Sequence, residues 1–249
     1  MQADLKSFAA NGVYGTCAVT VITSQNTFGV REVKELPVDL IESQIDAIMI
    51  DIGANAIKTG MLSSSEIIVC VSDKIREYGV ENFVVDPVMK AKGGANLINE
   101  EAIVTLRDVL IPMATVVTPN APEASILTGI NVADLDSARE AAVKLVSMGA
   151  SSVVVKGGHF EEGPATDVFY DGSEFRLFTT RRIDTPNTHG TGCTFASAIA
   201  AGLAKGNSMR DSVSDAKAYV TGAIRHNFQI GGGHGPLNHF YRHWNHTSL

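Results

Sequence analysis

The chain has 249 residues, of which 45% are hydrophobic and 19% charged, and a net charge of −7. That length suits one large domain or two small ones, and the apolar share is enough for a sizeable core. The acidic balance and the absence of any lysine/arginine run argue against nucleic acid or an anionic membrane as a partner.

No apolar run approaches the ~20 residues that a membrane helix needs. The opening stretch, MQADLKSFAANG, has neither the basic nor the apolar region of a signal peptide. Cys17, Cys70 and Cys193 are far apart and form no C-x-x-C pattern. A disulfide framework or cysteine zinc site is therefore not expected, and the reducing cytoplasm fits best.

In chain order, the first predicted strand is TCAVTVIT, 16–23. A helix follows over 38–51, where Val38, Ile41, Ile45, Ile48 and Met49 share a face. A strand over 55–60 leads to a helix over 63–79, with Ile67, Val71, Ile75 and Tyr78 on one side. Next come a strand at 82–88, a helix at 99–110, a strand at 114–120, helices at 121–128 and 135–148, and a strand at 151–158. Gly172-Ser173 separates 165–171 from 174–182 and reads as the turn of an antiparallel hairpin. Helices over 190–205 and 208–228 follow, and no linker or repeat divides the chain. Strand–helix alternation with near-continuous apolar strands predicts a single α/β domain over 1–249, a mostly parallel sheet with helices on both faces.

Ligands of such sheets bind beyond the carboxyl ends of the strands. The residues predicted there are Lys58, Gly60, Met61, Asp86, Lys90, Asn120, Glu123, Lys156 and Gly157. In THGTGCTF, Gly190 and Gly192 permit a tight turn, and the helix after it offers unpaired N–H groups to an anion. A thiol at that helix start, Cys193, is expected to have a lowered pKa and to act as a base. Taken alone, the pattern equally fits a glycine turn packed on the sheet with Cys193 as a small buried hydrophobe. Asn120 and Glu123 in N-x-x-E spacing could hold Mg²⁺ through its waters, but taken alone the pair is better read as a helix cap with a carboxylate in the first turn. Lys156 beside two glycines suits nucleotide phosphates or solvent. Asp86 ends an apolar strand and needs a partner or a site to face. Near the C-terminus, His234, His239, His243 and His246 allow a zinc site on paper. A glycine-rich lid followed by an aromatic anchor of Phe240, Tyr241 and Trp244 is the favoured reading.

Together QADLKSFAANGVYG, TSQNT, KTGML, VVDPVM, TPNAPEA, KGGH, NTHGTGCTF and GHGPLNHFY resemble the hydroxymethylpyrimidine/phosphomethylpyrimidine kinases of thiamine biosynthesis, in the ribokinase-like superfamily. The resemblance implies a three-layer α/β/α fold, a homodimer, ATP and Mg²⁺. It implies phosphorylation of 4-amino-5-hydroxymethyl-2-methylpyrimidine and then of its monophosphate. Gln25, Met61, Val88 and Asp4 match substrate-side positions. Gly190, Thr191, Gly192 and Cys193 match the anion hole and base, while Lys156, Asn120 and Asp86 match the phosphate side and Glu123 the Mg²⁺ position. Pyridoxal kinases with the same cysteine loop, and a truncated, non-catalytic form that binds a pyrimidine or pairs with another subunit, are the alternatives. Hydroxyethylthiazole kinases share the G-T-G-C loop, but QADLK and GHGPLNHF argue against them. The resemblance also implies a strand and a glycine-rich loop ahead of QADLK, where this sequence starts at Met1. A sheet lacking that strand is expected to leave unpaired backbone groups and a groove in the core.

Overall fold

A computed structural model describes residues 1–90, 94, 97–160 and 163–244. Its main sheet has six strands in sequence order: β3 (Ile57–Thr59), β4 (Phe83–Val85), β5 (Val116–Val117), β6 (Val153–Val155), β7 (Ala165–Tyr170) and β8 (Phe175–Thr180). Pairing is parallel from β3 to β6 and antiparallel through the β7–β8 hairpin. The short valine-rich strands are fully buried, as strands covered on both faces must be.

One face packs against α3 (Ser65–Glu77), α5 (Ala121–Thr128) and α6 (Leu135–Ser147) through Ile68, Leu127, Leu145 and Phe83. The other packs against α7 (Thr191–Ala204) and α8 (Met209–Arg225) through Ile199, Val213, Tyr219 and Val84. Val84 and Val85 are neighbours that enter opposite cores, which is the period-two alternation of a strand. This is the predicted three-layer α/β/α arrangement.

Three expectations are corrected. Residues 16–23 do not form a strand of the main sheet. Only Val21–Asn26 is extended, as β1, and it pairs with β2 (Gly29–Glu35) in a separate two-stranded sheet. Upstream of it the backbone of Val19 bonds the Gln44 side chain on α2 (Val38–Asp51), at 2.9 and 3.0 Å, rather than another strand. The helix expected over 99–110 is α-helical only as α4 (Glu100–Thr105), then widens to a π-turn through Leu110 and tightens over Ile111–Met113. Pro112 cannot donate to the helical ladder, which accounts for the stop. The opening residues, for which no element is expected, form α1 (Gln2–Ala10).

At the sheet edge, β3 pairs with β4 alone among the described residues. It borders a cavity of about 1660 Å³, whose walls include residues 13–23, Ile45, Ile48 and Met49 of α2, and the N-terminal turn of α7. No helix among the described residues is long and apolar enough to cross a membrane.

Candidate active site

The parallel strands β3 to β6 each bring one polar side chain to this cavity. Lys58 lies within β3, one residue before its end, and Asp86 follows β4, its N–H donating to the Thr59 carbonyl at 3.0 Å. Beyond β5 and β6 the pairing continues as a bridge between Asn120 and Lys156, with the Lys156 N–H on the Pro119 carbonyl at 2.8 Å. That register places Lys156 beside the start of α5. There Asn120 and Glu123 form a reciprocal cap: each side chain accepts the other's backbone N–H, at 2.9 and 2.8 Å. The cap reading of this pair is borne out, and the same two residues line the cavity.

The α7 turn closes the arrangement. Gly190 has φ +83°, a left-handed conformation that glycine adopts without strain. Thr191 folds back onto the Thr188 carbonyl through its hydroxyl at 2.8 Å. The amides of Gly192 and Cys193 lie in the first helical turn, where no intrahelical acceptor exists. A Cβ on Gly192 would stand 3.2 Å from Lys156 Nζ and 3.9 Å from Asp86 Oδ1. The missing side chain is what lets this helix start sit directly over the two charges.

The charges form one chain. Lys156 Nζ is 3.1 Å from Asp86 Oδ1, and Lys58 Nζ is 3.7 Å from Asp86 Oδ2 and 3.0 Å from Asp4 Oδ1. Asp4 also accepts from Ser197 Oγ of α7 at 2.6 Å and from the terminal amine at 2.8 Å. Asp86 is 1% exposed, and its Oδ2 has no hydrogen-bond partner. Burial alone would raise its pKa, but Lys156 and Lys58 outweigh that and keep it ionised. Burial likewise opposes the charge on both lysines. Asp86 and Glu123 hold Lys156 protonated, and Lys58 is held in its charged form by Cys193 only when that thiol is ionised, and otherwise by Asp4 and Asp86. Asp4 is drawn down to about 2: its desolvation is outweighed by Lys58, the terminal amine and Ser197. Glu123 goes the other way, up to about 7, from burial with Lys156 opposing and Asp86 adding.

Cys193 corrects a further expectation. Its thiol is pushed up to about 11, by burial first, with Lys58 pulling down and Asp86 and Asp4 pushing up. At that value the thiol is neutral at pH 7, the opposite direction to the lowering expected from the helix start.

Gln25, Met61, Val88 and Asp4 line the same cavity as Cys193, as do Lys156, Asn120, Asp86 and Glu123. The residues matched to the family's site thus line one cavity, while Gly157, also expected at this edge, does not line it. Among the terminal histidines, His239 is buried with Nε2 3.0 Å from Thr194 Oγ1, while His234 and His243 meet the carbonyls of Pro186 and Ala10. His246 lies outside the described residues. The aromatic anchor forms as a Phe240–Trp244 stack with centroids 5.1 Å apart, and Tyr241 stacks on His226 at 5.2 Å. The Gly231–Gly233 run packs on the β1–β2 tip, where the His234 N–H donates to the Thr27 carbonyl at 2.8 Å.

Sequence reasoning put Lys58 at the ligand-binding edge without a specific role, and gave no place there to Ser197 or Arg182. Lys58 had a signal, a lysine ending an apolar strand, and Ser197 sits one helical turn past Cys193 in an alanine run. Arg182 had none. Its guanidinium donates to the carbonyls of Gly163 and Gly158 at 2.8 and 2.9 Å, and so shapes the loop after Lys156.

The Phosphomethylpyrimidine kinase family model matches residues 1–238. The chain belongs to that family. It is 47% identical to the hydroxymethylpyrimidine/phosphomethylpyrimidine kinase of Bacillus subtilis, over 96% of this chain and 89% of that protein. It is 49% identical to the thiamine biosynthesis bifunctional protein ThiED of Geobacter sulfurreducens, over 96% of this chain; it spans about half (49%) of that longer protein. Among solved structures, the ADP complex of Bacillus subtilis pyridoxal kinase superposes with a TM-score of 0.92 at 40% identity, covering 98% of this chain and 93% of that one. The phosphomethylpyrimidine kinase of Clostridium difficile gives 0.80 at 39% identity, covering 90% and 92%.

Hard oxygen donors suit Mg²⁺. Glu123 already accepts from the backbone of Asn120 and Met89, which suits contact with a hydrated ion through water better than direct ligation, and Asp86 Oδ2 makes no hydrogen bond.

Proposed function

We propose that this protein is an ATP-dependent kinase. It phosphorylates the hydroxymethyl group of 4-amino-5-hydroxymethyl-2-methylpyrimidine and then converts the monophosphate to the diphosphate. The observation that carries the reading is the α7 start lying against Lys156 and Asp86 in a cavity that also contains Gln25, Met61 and Val88. Membership of the family and the names of its relatives support the same chemistry.

In this reading catalysis is positioning plus charge stabilisation. The amides of Gly192 and Cys193 and the ammonium of Lys156 hold the γ-phosphoryl group as it moves. Gln25, Met61, Val88 and Asp4 hold the acceptor. Glu123 and Asp86 would hold Mg²⁺ through water, and the ion would neutralise charge on the phosphates. In the first transfer the hydroxymethyl oxygen bonds to the γ-phosphorus, ADP leaves, and the ionised fraction of Cys193 takes the hydroxyl proton. The whole chain acts as one kinase domain, paired as a homodimer in the cytoplasm.

The test is ADP release with the pyrimidine alcohol, its monophosphate and pyridoxal as separate acceptors. Turnover of both pyrimidines is expected. Turnover of pyridoxal alone would replace this reading with a pyridoxal kinase, consistent with the close superposition on that enzyme. Turnover of none would leave a binding protein.

A further inference from the structure

Asp86 is held between two lysines through different oxygens. Lys156 Nζ is 3.1 Å from Oδ1 and Lys58 Nζ is 3.7 Å from Oδ2. The lysines belong to different sides of the site. Lys156 is bridged to Asn120, beside Glu123. Lys58 adjoins the Gly60–Met61 turn, where a Cβ on Gly60 would stand 3.0 Å from its Nζ. Met61 and Asp4 are substrate-side residues in the proposed reaction, so Lys58 stands with the acceptor.

We propose that Lys58 is the acceptor-side cation, pairing with the phosphate of the monophosphate during the second transfer. The assignment rests on the two-step reaction proposed above. The Lys58 side chain is 4% exposed. Among the described residues its one hydrogen bond is to Asp4 Oδ1, at 3.0 Å. An ammonium has three donors, so two remain for an incoming anion. Asp86 Oδ2 makes no hydrogen bond and does not lock the amine in place.

The two acceptors differ in the charge they bring. The alcohol is neutral, whereas a phosphate monoester carries about −1.5 to −2 at pH 7. Placing that charge beside Asp4 and Asp86 in a buried site is costly without a cation. In the second transfer an acceptor phosphate oxygen bonds to the γ-phosphorus. The bond from that phosphorus to its bridging oxygen breaks, and ADP leaves with the electron pair. A dianionic acceptor has no proton to lose, so this step needs Lys58 for charge and does not need a base.

The experiment compares kcat/KM for the alcohol and for the monophosphate at saturating ATP, in wild type, K58M and K58R, with folding checked by circular dichroism. In K58M the ratio of monophosphate to alcohol kcat/KM is expected to fall about 100-fold, the scale of losing one charge-stabilising donor. K58R, which keeps the charge, should recover most of that ratio. If K58M does not fold, the double variant D4N/K58M removes the ion pair as a unit and is read by the same ratio. Equal losses with both acceptors, or a loss confined to the KM for ATP, would overturn the inference while the two-step reaction stands. A wild type that turns over neither acceptor would overturn both.

Discussion

At the residue scale the informative group is Cys193. Burial holds its thiol near 11, so at neutral pH about one thiol in ten thousand is ionised, each pH unit being a factor of ten in the proton equilibrium. The alcohol step needs a proton acceptor, so its kcat should rise with pH as the thiolate fraction grows, with no plateau below about pH 10. The monophosphate step should lack that rise, and parallel pH profiles for the two steps would refute the role. Cys193→Asp supplies a permanent base beside Asp86 and Asp4. A fixed carboxylate repels an anionic acceptor, so this variant should lose more of the second step than of the first. Equal losses would show that charge at this position is irrelevant.

Between elements, α1 is tied into the site by one carboxylate. Asp4 bonds Lys58 in β3 and Ser197 on α7. Its folded pKa of about 2 lies below the ordinary aspartate value of 3.8, so the unfolded state binds its proton first as pH falls. Its contribution is present in full above about pH 4 and is lost as pH falls towards 2. Urea titrations of wild type and Asp4→Asn should diverge in slope against pH only within that window. Where α7 crosses α8, Gly202 permits the contact: a Cβ there would stand 2.6 Å from Ser212 Oγ and 3.1 Å from Ser212 Cα. Gly202→Ala should cost about 1–3 kcal/mol of unfolding free energy, the usual range for overpacking a tight core.

On the scale of the whole molecule, a sheet with short buried strands brings four strand ends to one edge and sets α7 across them. The cavity is lined by Lys156, Asn120 and Glu123, the proposed nucleotide side, and by Lys58, Met61 and Gln25, the proposed acceptor side. Light scattering on the 26.4 kDa chain should give twice that mass if the family's homodimer holds here, and a monomer would remove pairing from the proposed function.

The sequence by itself determined the α/β alternation, because buried parallel strands need apolar β-branched runs and turn residues must bound them. It also placed the site, because polar residues at strand ends have nowhere to go except the sheet's carboxyl edge. Three things were decided by tertiary structure alone. TCAVTVIT has strand composition, yet its first half finds no strand partner and bonds Gln44 instead, since pairing depends on what lies alongside. The helix start at Gly190 suggests an acidic thiol, yet burial reverses the shift, since desolvation depends on walls supplied by distant residues. Asp4, Lys58, Asp86 and Lys156 are scattered along the chain. Only the packing of α1 and α7 onto the sheet edge makes them one chain of charges, because Coulomb interactions follow distance in space and not separation in sequence.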